Sequence, residues 1–278
     1  MTRAAQRRFS ELGLHILLIG GLAAVLMPIV FALSTSLKPY GDVFIYPPVW
    51  IPPEPRWSNY VEAMTFVPFG TYFRNSATIT GLDIIGKLLS CSLVAFAFSR
   101  LQWWGRDKLF MLMIATLMLP PQVTLIPQFV IWKELGWVDT LVPLILPNFF
   151  GGPFMTFLLR QFFMSIPPDL DDAARIDGCS SFGIFWRIIL PLARPALMAV
   201  TVFTFNNTWN EYLTPLIYLH SKANLTVAVG LRAFQSEHGP KWHLVMAASL
   251  VTMLPVLLVF FFGQRYFIQG VVFTGVKG

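Results

Sequence analysis

Long apolar runs alternate with short polar segments along the chain, and this pattern predicts a helical membrane protein. Roughly 20 apolar residues run from Leu14 to Leu33, whereas the core of a cleaved signal peptide has only about 7–15. We therefore interpret this run as an uncleaved first span. The later runs bring the prediction to six spans, at about residues 14–36, 75–98, 109–131, 141–164, 188–218 and 243–264.

Prolines interrupt the apolar pattern at two places. Five prolines between Pro47 and Pro55 exclude a regular helix, so residues 37–70 are predicted to form an external loop. Pro120 and Pro121 lie inside the third span and predict a bend there. Such a bend frees backbone carbonyls and is tolerated where protein or a water-filled cavity satisfies them.

The composition agrees with a membrane location. Of 278 residues, 55% are hydrophobic and 12% are charged, with a mean hydropathy of +0.63, whereas soluble domains carry about 25% charged residues. Two cysteines, Cys91 and Cys179, predict neither a disulfide framework nor a metal site. The net charge of +6 does not indicate nucleic acid, because the placement of Lys and Arg sets the orientation of a membrane protein.

The placement of the basic residues predicts that both termini lie in the cytoplasm. With six spans, the basic residues assigned to the cytoplasm are Arg3, Arg7, Arg8, Arg100, Arg106, Lys108, Arg160, Arg175, Arg187, Arg194, Arg265 and Lys277. Those assigned to the outside are Lys38, Arg56, Arg74, Lys133, Lys222, Arg232 and Lys241. The larger cytoplasmic set favours this orientation.

A polar segment, Pro167 to Pro195, separates the fourth and fifth spans. Pro167-Pro168 before Asp169 indicates a helix start, which Asp172 can complete as an N-terminal cap. Gly178 is placed to end this helix, because glycine adopts the left-handed conformation at low cost. Ser180 or Ser181 can then cap a second helix. The segment is predicted as two helices joined by a turn at a membrane surface.

The same segment resembles the EAA loop of permeases of ATP-binding-cassette (ABC) importers. The match consists of Asp172-Ala173-Ala174, Gly178, and Ile188-x-Leu190-Pro191. The family usually has Glu where this chain has Asp172. The resemblance implies that residues 165–187 couple to ATPase subunits, through a set that also includes Asp177, Arg187 and Pro191. An ordinary amphipathic cytoplasmic loop is the alternative.

Nearly the whole chain resembles the MalG-type permease subunit of carbohydrate ABC importers. The resemblance is carried by Ser36-Leu37-Lys38, Phe73-Arg74-Asn75-Ser76, the run from Met118 to Phe129, Trp209-Asn210-Glu211-Tyr212-Leu213 and Gly275-Val276-Lys277-Gly278. It implies one MetI-like (type I) permease domain in a prokaryotic plasma membrane. The partners implied are a second permease, two cytoplasmic ATPases, a solute-binding protein and a sugar or polyol.

The sequence contains no GxxxxGK[ST] phosphate loop, so we expect no ATP hydrolysis by this chain. It also lacks HExxH, GxSxG and clustered His or Cys ligands, so an enzyme is not supported. We expect no cofactor on this chain, with ATP and Mg²⁺ bound by the partner ATPases, and no nucleic-acid partner.

Polar residues in the fifth span are the first candidates for a solute path. On a continuous helix at 100° per residue they share one arc, opposite the side chains of Phe205 and Trp209. Such an arc is costly against lipid and must face protein or water. It either holds neighbouring helices together or lines the path of a polyol, whose hydroxyls amides can match. The candidates are Asn206, Asn207, Asn210, Glu211 and Thr214.

Two further sets of residues complete the candidates. Asp83 and Lys87 lie one helical turn apart in the second span, where they predict either a structural ion pair or part of the path. At the C-terminus, Gly275 and Lys277 belong to a short tail. A frayed terminus is one interpretation, and the resemblance implies a contact with the ATPases.

Two other functions remain open at this stage. A secondary transporter or channel working alone would need a coupling-ion site near the middle of the membrane, for which Asp83 and Glu211 are available. That function leaves the spacing of the EAA-like segment unexplained. A membrane scaffold without transport activity leaves the polar residues within the spans without a role. The sequence does not name the solute.

Overall fold

A computed structural model describes residues 3–236 and 239–272 of the chain, with side chains for residues 11–234 and 239–264. Nearly all regular secondary structure in the described chain is helical. Its helices are α1 (Arg3–Ser36), α2 (Ser58–Phe66), α3 (Phe69–Arg100), α4 (Arg106–Ala115), α5 (Pro121–Glu134), α6 (Val142–Ile145), α7 (Pro153–Ser165), α8 (Asp169–Ile176), α9 (Ser181–Ile184), α10 (Leu190–Leu192), α11 (Arg194–Trp209), α12 (Leu213–Tyr218), α13 (Val227–Gly230) and α14 (Trp242–Val272).

Short elements of other types link these helices. Two strands of two residues each, β1 (Gln235–Ser236) and β2 (Gly239–Pro240), pair antiparallel, with Gln235 opposite Pro240. The 3₁₀ turns are Tyr40–Asp42, Thr116–Met118, Leu146–Phe150 and Leu231–Phe234, and a π-helical turn covers Phe185–Ile189 between α9 and α10.

Four helical segments are long and apolar enough to cross a bilayer: Glu11–Ser36, Phe69–Arg100, Val142–Ser165 and Trp242–Gln264. Two bent pairs bring the total to six if each pair counts as one span. Within the most apolar 18-residue stretch of each of the four segments, only 0–33% of the residues are buried inside the protein. Lipid or other subunits must therefore cover most of their apolar surface.

Prolines account for the two bent pairs. The helical segments Arg106–Met118 and Pro121–Glu134 meet at 96°, at the predicted proline bend. Ser181–Leu192 and Arg194–Trp209 meet at 76°, with Pro195 in the first turn of α11. The N–H groups in the first turn of a helix have no acceptor within the helix. Proline, which has no N–H, is therefore favoured where a new helix starts.

The regular helix assumed through residues 206–214 of the predicted fifth span is wrong. Besides the bend before Arg194, the helix ends at Trp209, and α12 begins only at Leu213. Pro215 has no N–H for the carbonyl of Glu211, and its ring would clash with that carbonyl in a continuous helix. At the end of α11 the Asn206 carbonyl accepts twice from Asn210, from its backbone N–H at 3.4 Å and from its side chain at 2.8 Å.

The described residues divide into two compact units, and the prediction of a single domain stays a prediction. The first unit comprises the described residues of 1–67 and 231–253. Within it, the Asn59 amide donates to the carbonyls of Ser36 and Lys38, both at 2.8 Å. These two bonds hold the segment after α1 against α2.

The second unit comprises the described residues of 68–230 and 254–278. Its centre is α3, which packs most extensively against α7 and α11. The core draws on α3, on α7 and on the segment from α8 to α11, so the polar segment is anchored in the same core as the spans. Its buried residues are Cys91, Ala95, Phe96, Met155, Leu159, Phe163, Ile166, Ala174, Ile184, Phe185, Ile189, Ala193, Ala196 and Val200.

Candidate functional site

A polar cavity of about 260 Å³ lies within the second unit, next to the middle of α3. Helix α3 contributes Ser76, Ile79, Asp83 and Lys87, which are spaced three or four residues apart and therefore share one helical face. The other lining residues are Gln128, Pro143, Leu144, Pro147, Asn148, Asn207, Thr208, Glu211, Thr214, Pro215, Tyr218 and Thr226. We call this the α3 cavity.

Asp83 is the most deeply buried charged group of the α3 cavity, with 3% of its surface exposed. Its Oδ2 atom accepts a hydrogen bond from Thr208 Oγ1 at 3.0 Å, and the Asn148 side chain lies beside the same carboxylate. Its Oδ1 atom has no hydrogen-bond partner among the described residues. Lys87 also lines the cavity, but no ion pair within 4.0 Å joins it to Asp83 in the described part of the chain. Asp83 and Lys87 therefore do not form the direct ion pair that was one of the two alternatives from the sequence.

The turn Leu146–Phe150 reaches the cavity because one residue of α3 is a glycine. A Cβ atom on Gly86 would lie 2.8 Å from Cδ2 of Phe149, which is too close for an ordinary contact. One helical turn further on, Ser90 Oγ donates to the Asn148 carbonyl at 3.2 Å. The glycine and the serine together place Asn148 next to Asp83.

The structure separates the five polar candidates of the fifth span, so the prediction of one shared arc is wrong. Asn207, Glu211 and Thr214 line the α3 cavity, and Glu211 Oε1 accepts from the Thr214 backbone N–H at 3.0 Å. Asn206 lines a different groove, of about 360 Å³. Asn210 is exposed and donates to Asn206 Oδ1 at 3.1 Å. Asn206 and Asn207 both lie on α11, where successive side chains point about 100° apart. Asn210, Glu211 and Thr214 follow the end of α11, and its helical angles no longer apply to them.

The groove beside Asn206 is mostly apolar. Apart from Asn206, its lining consists of Val202, Phe203, Phe205, Val256, Val259 and Phe260. The opposite, aromatic side of α11 packs as predicted. Trp209 is buried, with its ring stacked on Phe205 at 5.5 Å and in edge contact with Phe73 at 5.1 Å.

Several cavity residues were not among the sequence candidates. Thr208, Asn148 and Gln128 lie in three separate segments, and nothing in their local sequence shows that they meet. Pro143 and Pro147 next to Asn148 were a usable signal, since a proline-interrupted segment within a span exposes carbonyls that need a polar environment.

The polar segment forms two short helices joined by a tight turn, as predicted. Gly178 has φ +80°, the left-handed conformation that glycine adopts easily. Ser180 Oγ then accepts from the Gly183 N–H at 3.2 Å and caps α9. The predicted cap by Asp172 is wrong, because its carboxylate accepts from Arg175 Nη1 at 2.8 Å, one turn along α8.

The second helix of this segment contains the π-helical turn Phe185–Ile189, where Leu190 N–H reaches the Phe185 carbonyl. Pro191 follows and has no N–H to donate to the Arg187 carbonyl. The wider π-helical turn is compatible with the loss of this bond. Both Arg187 and Pro191 are exposed.

One face of the two helices is buried in the core and the other is open. Asp171 and Ala174 are buried, whereas Asp172, Ala173 and Asp177 are exposed. Of the two alanines singled out in the sequence, only Ala173 is therefore available to a partner. The open face also carries apolar side chains: Ile176 is 87% exposed, Phe182 65% and Trp186 58%.

Arg100, the last residue of α3, ties this helix to the polar segment. Its Nη2 atom donates to the carbonyls of Phe163 and Ile166, both at 2.7 Å. Its Nε atom lies 3.4 Å from Asp171 Oδ2, and both side chains are less than 10% exposed. From the sequence, Arg100 is assigned only to a cytoplasmic turn, because its partners lie more than 60 residues away.

Hydrogen bonds also fix the loop between α5 and α6. Asp139 has φ +64°, and its Oδ1 atom accepts from the backbone N–H groups of His220 and Ser221, both at 2.8 Å. The Ser221 hydroxyl donates to Oδ2. This hydroxyl bond, followed by the two backbone bonds, lowers the pKa of Asp139 to about 2. From α3, Asn75 donates to the carbonyls of Ala223 and Leu225.

The tail candidates Gly275 and Lys277 lie outside the described residues. Within residues 3–236 and 239–272, no group of three or more His, Cys, Asp or Glu side chains is arranged to hold a metal ion.

Comparison with known proteins identifies the family. Residues 90–272 match the sequence model of the family described as binding-protein-dependent transport system inner membrane component. The arabinooligosaccharides transport system permease protein AraQ of Halalkalibacterium halodurans is 34% identical over 249 residues, covering 89% of this chain and 88% of AraQ. The sn-glycerol-3-phosphate transport system permease protein UgpE of Pectobacterium atrosepticum is 36% identical over 275 residues, covering 96% of this chain and 97% of UgpE.

Solved structures confirm the predicted fold class. A chain of a bacterial ABC transporter involved in the import of the acidic polysaccharide alginate superposes with a TM-score of 0.83 at 24% identity, covering 96% of this chain and 99% of that chain. A chain of a bacterial alginate ABC transporter, solved in complex with an alginate pentasaccharide-bound periplasmic protein, gives a TM-score of 0.70 at 15% identity, with 95% and 96% covered. The protein is a multi-pass, all-α membrane protein with the fold of an ABC importer permease, and it belongs to the family of binding-protein-dependent transport system inner-membrane components.

Proposed function

We propose that this chain is a permease subunit of an ATP-driven importer for a sugar or a related polyol. It receives solute from a solute-binding protein and forms the translocation path together with a second, related permease. Two ATPase subunits bind ATP and Mg²⁺, and this chain binds neither and has no catalytic role. Both termini lie in the cytoplasm of a prokaryotic cell, and the spans lie in its plasma membrane.

The observation that carries this proposal is the α3 cavity. Its lining brings the side chains of Asn207, Glu211 and Thr214 together with the buried carboxylate of Asp83. Polyols present hydroxyl groups that both donate and accept, and such a lining can match both functions. The transport systems of the relatives are named for arabinooligosaccharides and for sn-glycerol 3-phosphate, which supports a solute that carries hydroxyl groups.

The open face of the polar segment supports docking of an ATPase. Ile176, Phe182 and Trp186 are exposed beside the carboxylates of Asp172 and Asp177. Large apolar side chains on a short exposed helical segment are typical of a protein interface, where aromatic residues contribute much of the binding energy. The turn at Gly178 sets the angle between α8 and α9 and therefore the shape of this face.

The groove beside Asn206 and the tail complete the proposed interfaces. The groove and the open apolar sides of the spans are available to the second permease or to lipid. Gly275 and Lys277 are proposed to contact the ATPases, as the family resemblance implies.

The experiment compares thiol labelling at two positions of α11 in the complete transporter. In a background with Cys91 and Cys179 replaced by alanine, we expect Asn207→Cys to react with a membrane-impermeant maleimide and Asn206→Cys to react far more slowly. Uptake of arabinotriose and of sn-glycerol 3-phosphate into proteoliposomes holding ATP is then measured with and without vanadate. Uptake that persists under vanadate would support a transporter that works alone, and Asn207→Cys without labelling would remove the cavity from the path.

A further inference from the structure

The polar segment from α8 to α10 has three routes to the α3 cavity, and they differ in stiffness. Helix α7 leads back to the turn Leu146–Phe150 through the non-helical residues Gly151 and Gly152. Helix α11 is reached only through the 76° bend before Arg194. Helix α3 runs without a break from Phe69 to Arg100.

Helix α3 therefore connects the two sites as a single rod. It carries Asp83 into the cavity and ends at Arg100, 17 residues later, which is roughly 25 Å at 1.5 Å per residue. A continuous helix transmits displacement better than a path that contains non-helical residues or a sharp bend.

The contact at the end of this rod is built from two unequal parts. Arg100 Nη2 is held by two carbonyls at 2.7 Å, so the guanidinium stays attached to the end of α7. Towards α8, its Nε atom approaches Asp171 only to 3.4 Å and makes no hydrogen bond. Asp171 Oδ1 has no hydrogen-bond partner in the described part of the chain either.

From this geometry we infer that Arg100 and Asp171 form the positioning contact through which movement of α8 reaches the α3 cavity. This inference rests on the proposed function, since it requires an ATPase that moves α8. A buried charge pair in a low-dielectric core resists separation. A shift of Asp171 therefore draws the end of α3 with it. The two carbonyl bonds attach the guanidinium to the end of α7, so the end of α7 follows the same movement.

The test follows nucleotide-dependent labelling of Asn207→Cys in the complete transporter, in the background with Cys91 and Cys179 replaced by alanine. The probe is a membrane-impermeant maleimide, applied with and without Mg-ATP and vanadate. In this background we expect trapping to change the labelling rate about fivefold or more, the usual size of coupling between two sites. Asp171→Asn should remove most of that change, and Asp171→Glu, which restores the charge, should recover it.

Asp107→Asn is the matched control, because it neutralises the partner of another arginine, Arg106, at 2.9 Å, in an exposed pair near the end of α3. It should leave the nucleotide-dependent change intact. If Asp171→Asn does not assemble with the ATPases, Arg100→Lys replaces it, since lysine keeps the charge but lacks the fork that reaches both carbonyls and Asp171.

The outcomes separate the two proposals. A full nucleotide-dependent change in Asp171→Asn, or in Arg100→Lys if that variant is used, would overturn the positioning contact and leave the proposed function standing. No change in the otherwise unaltered Asn207→Cys background would overturn both, because the cavity would then not respond to the ATPases at all.

Discussion

Thr208 Oγ1 donates a hydrogen bond to Asp83 Oδ2 at 3.0 Å and thereby joins α11 to α3 across 125 positions of the chain. It gives a buried carboxylate a donor within the membrane-spanning part of the protein. Because the other oxygen of Asp83 has no partner in the described chain, this bond largely determines how the carboxylate is oriented in the α3 cavity.

Thr208→Val removes this donor while keeping the shape of the side chain. We expect the free energy of unfolding to fall by about 1–3 kcal/mol, the usual cost of leaving a buried polar group unpaired. Thermal unfolding of the purified protein measures the change. Thr201→Val is the matched control, since Thr201 Oγ1 donates to the Leu197 carbonyl of its own helix, at 2.9 Å. An equal loss in both variants would show that the bond to Asp83 contributes no more to the free energy of unfolding than the bond within α11.

Gly178→Val should uncouple the ATPases without preventing insertion into the membrane. Valine at φ +80° is strained by about 1–3 kcal/mol, so the turn relaxes and α9 takes a different direction from α8. No atom lies within 4 Å of the added Cβ, so the effect comes from the backbone and not from a clash. We expect the purified variant to lose binding to its ATPase subunits in a copurification assay.

Gly105→Val controls for backbone strain as such. Gly105 has φ +86° and equally open surroundings, but it lies in the turn before α4. ATPase binding should survive in this variant. If Gly105→Val loses the ATPases as completely as Gly178→Val does, the turn at Gly178 is not what presents the docking face.

Gly86→Ala tests the close approach of the turn Leu146–Phe150 to α3. The new methyl group would lie 2.8 Å from the Phe149 ring, so the turn must retreat and carry Asn148 away from Asp83. We expect a loss of about 1–3 kcal/mol in the free energy of unfolding, as for other overpacked sites. Gly81→Ala on the same helix meets no atom within 4 Å and should be neutral or stabilising. A stable Gly86→Ala protein would mean that Phe149 moves freely.

Asp139→Asn tests the charge that fixes residues 219–224. Asparagine tolerates the φ of +64°, and its Oδ1 can still accept from the two backbone N–H groups. Its amide nitrogen cannot accept from the Ser221 hydroxyl, so the charge and this hydroxyl bond are lost together. The native pKa of about 2 is below the value of about 3.9 for an unfolded aspartate. The carboxylate therefore stabilises the loop fully above about pH 4, and this contribution is lost as the pH falls towards 2.

Hydrogen exchange of the peptide covering residues 219–224 measures this effect, after correction for the intrinsic rate at each pH. We expect faster exchange in Asp139→Asn than in the unmodified protein at pH 5, and nearly equal exchange at pH 2. A difference that stays constant over the whole range would show that the stabilisation does not come from the carboxylate charge.

The sequence by itself determined the features that depend on local order. Apolar runs of membrane length are set by composition over about 20 residues, so the helical membrane class was predictable. The turn at Gly178 and the cap at Ser180 each depend on residues that are close in sequence, and the structure has both. The family resemblance was equally accessible, because the spacing of its motifs is a property of the chain alone.

The tertiary structure alone decided which polar groups meet. Asp83 with Thr208, and Arg100 with Asp171, are pairs separated by many residues, and no local pattern specifies such a contact. The end of α11 at Trp209, beyond which Glu211 and Thr214 leave its helical arc, was likewise not predicted. Pro215 was a local sign of that ending. A helix that continued past Trp209 would need an N–H at position 215 to bond the Glu211 carbonyl, and proline has none.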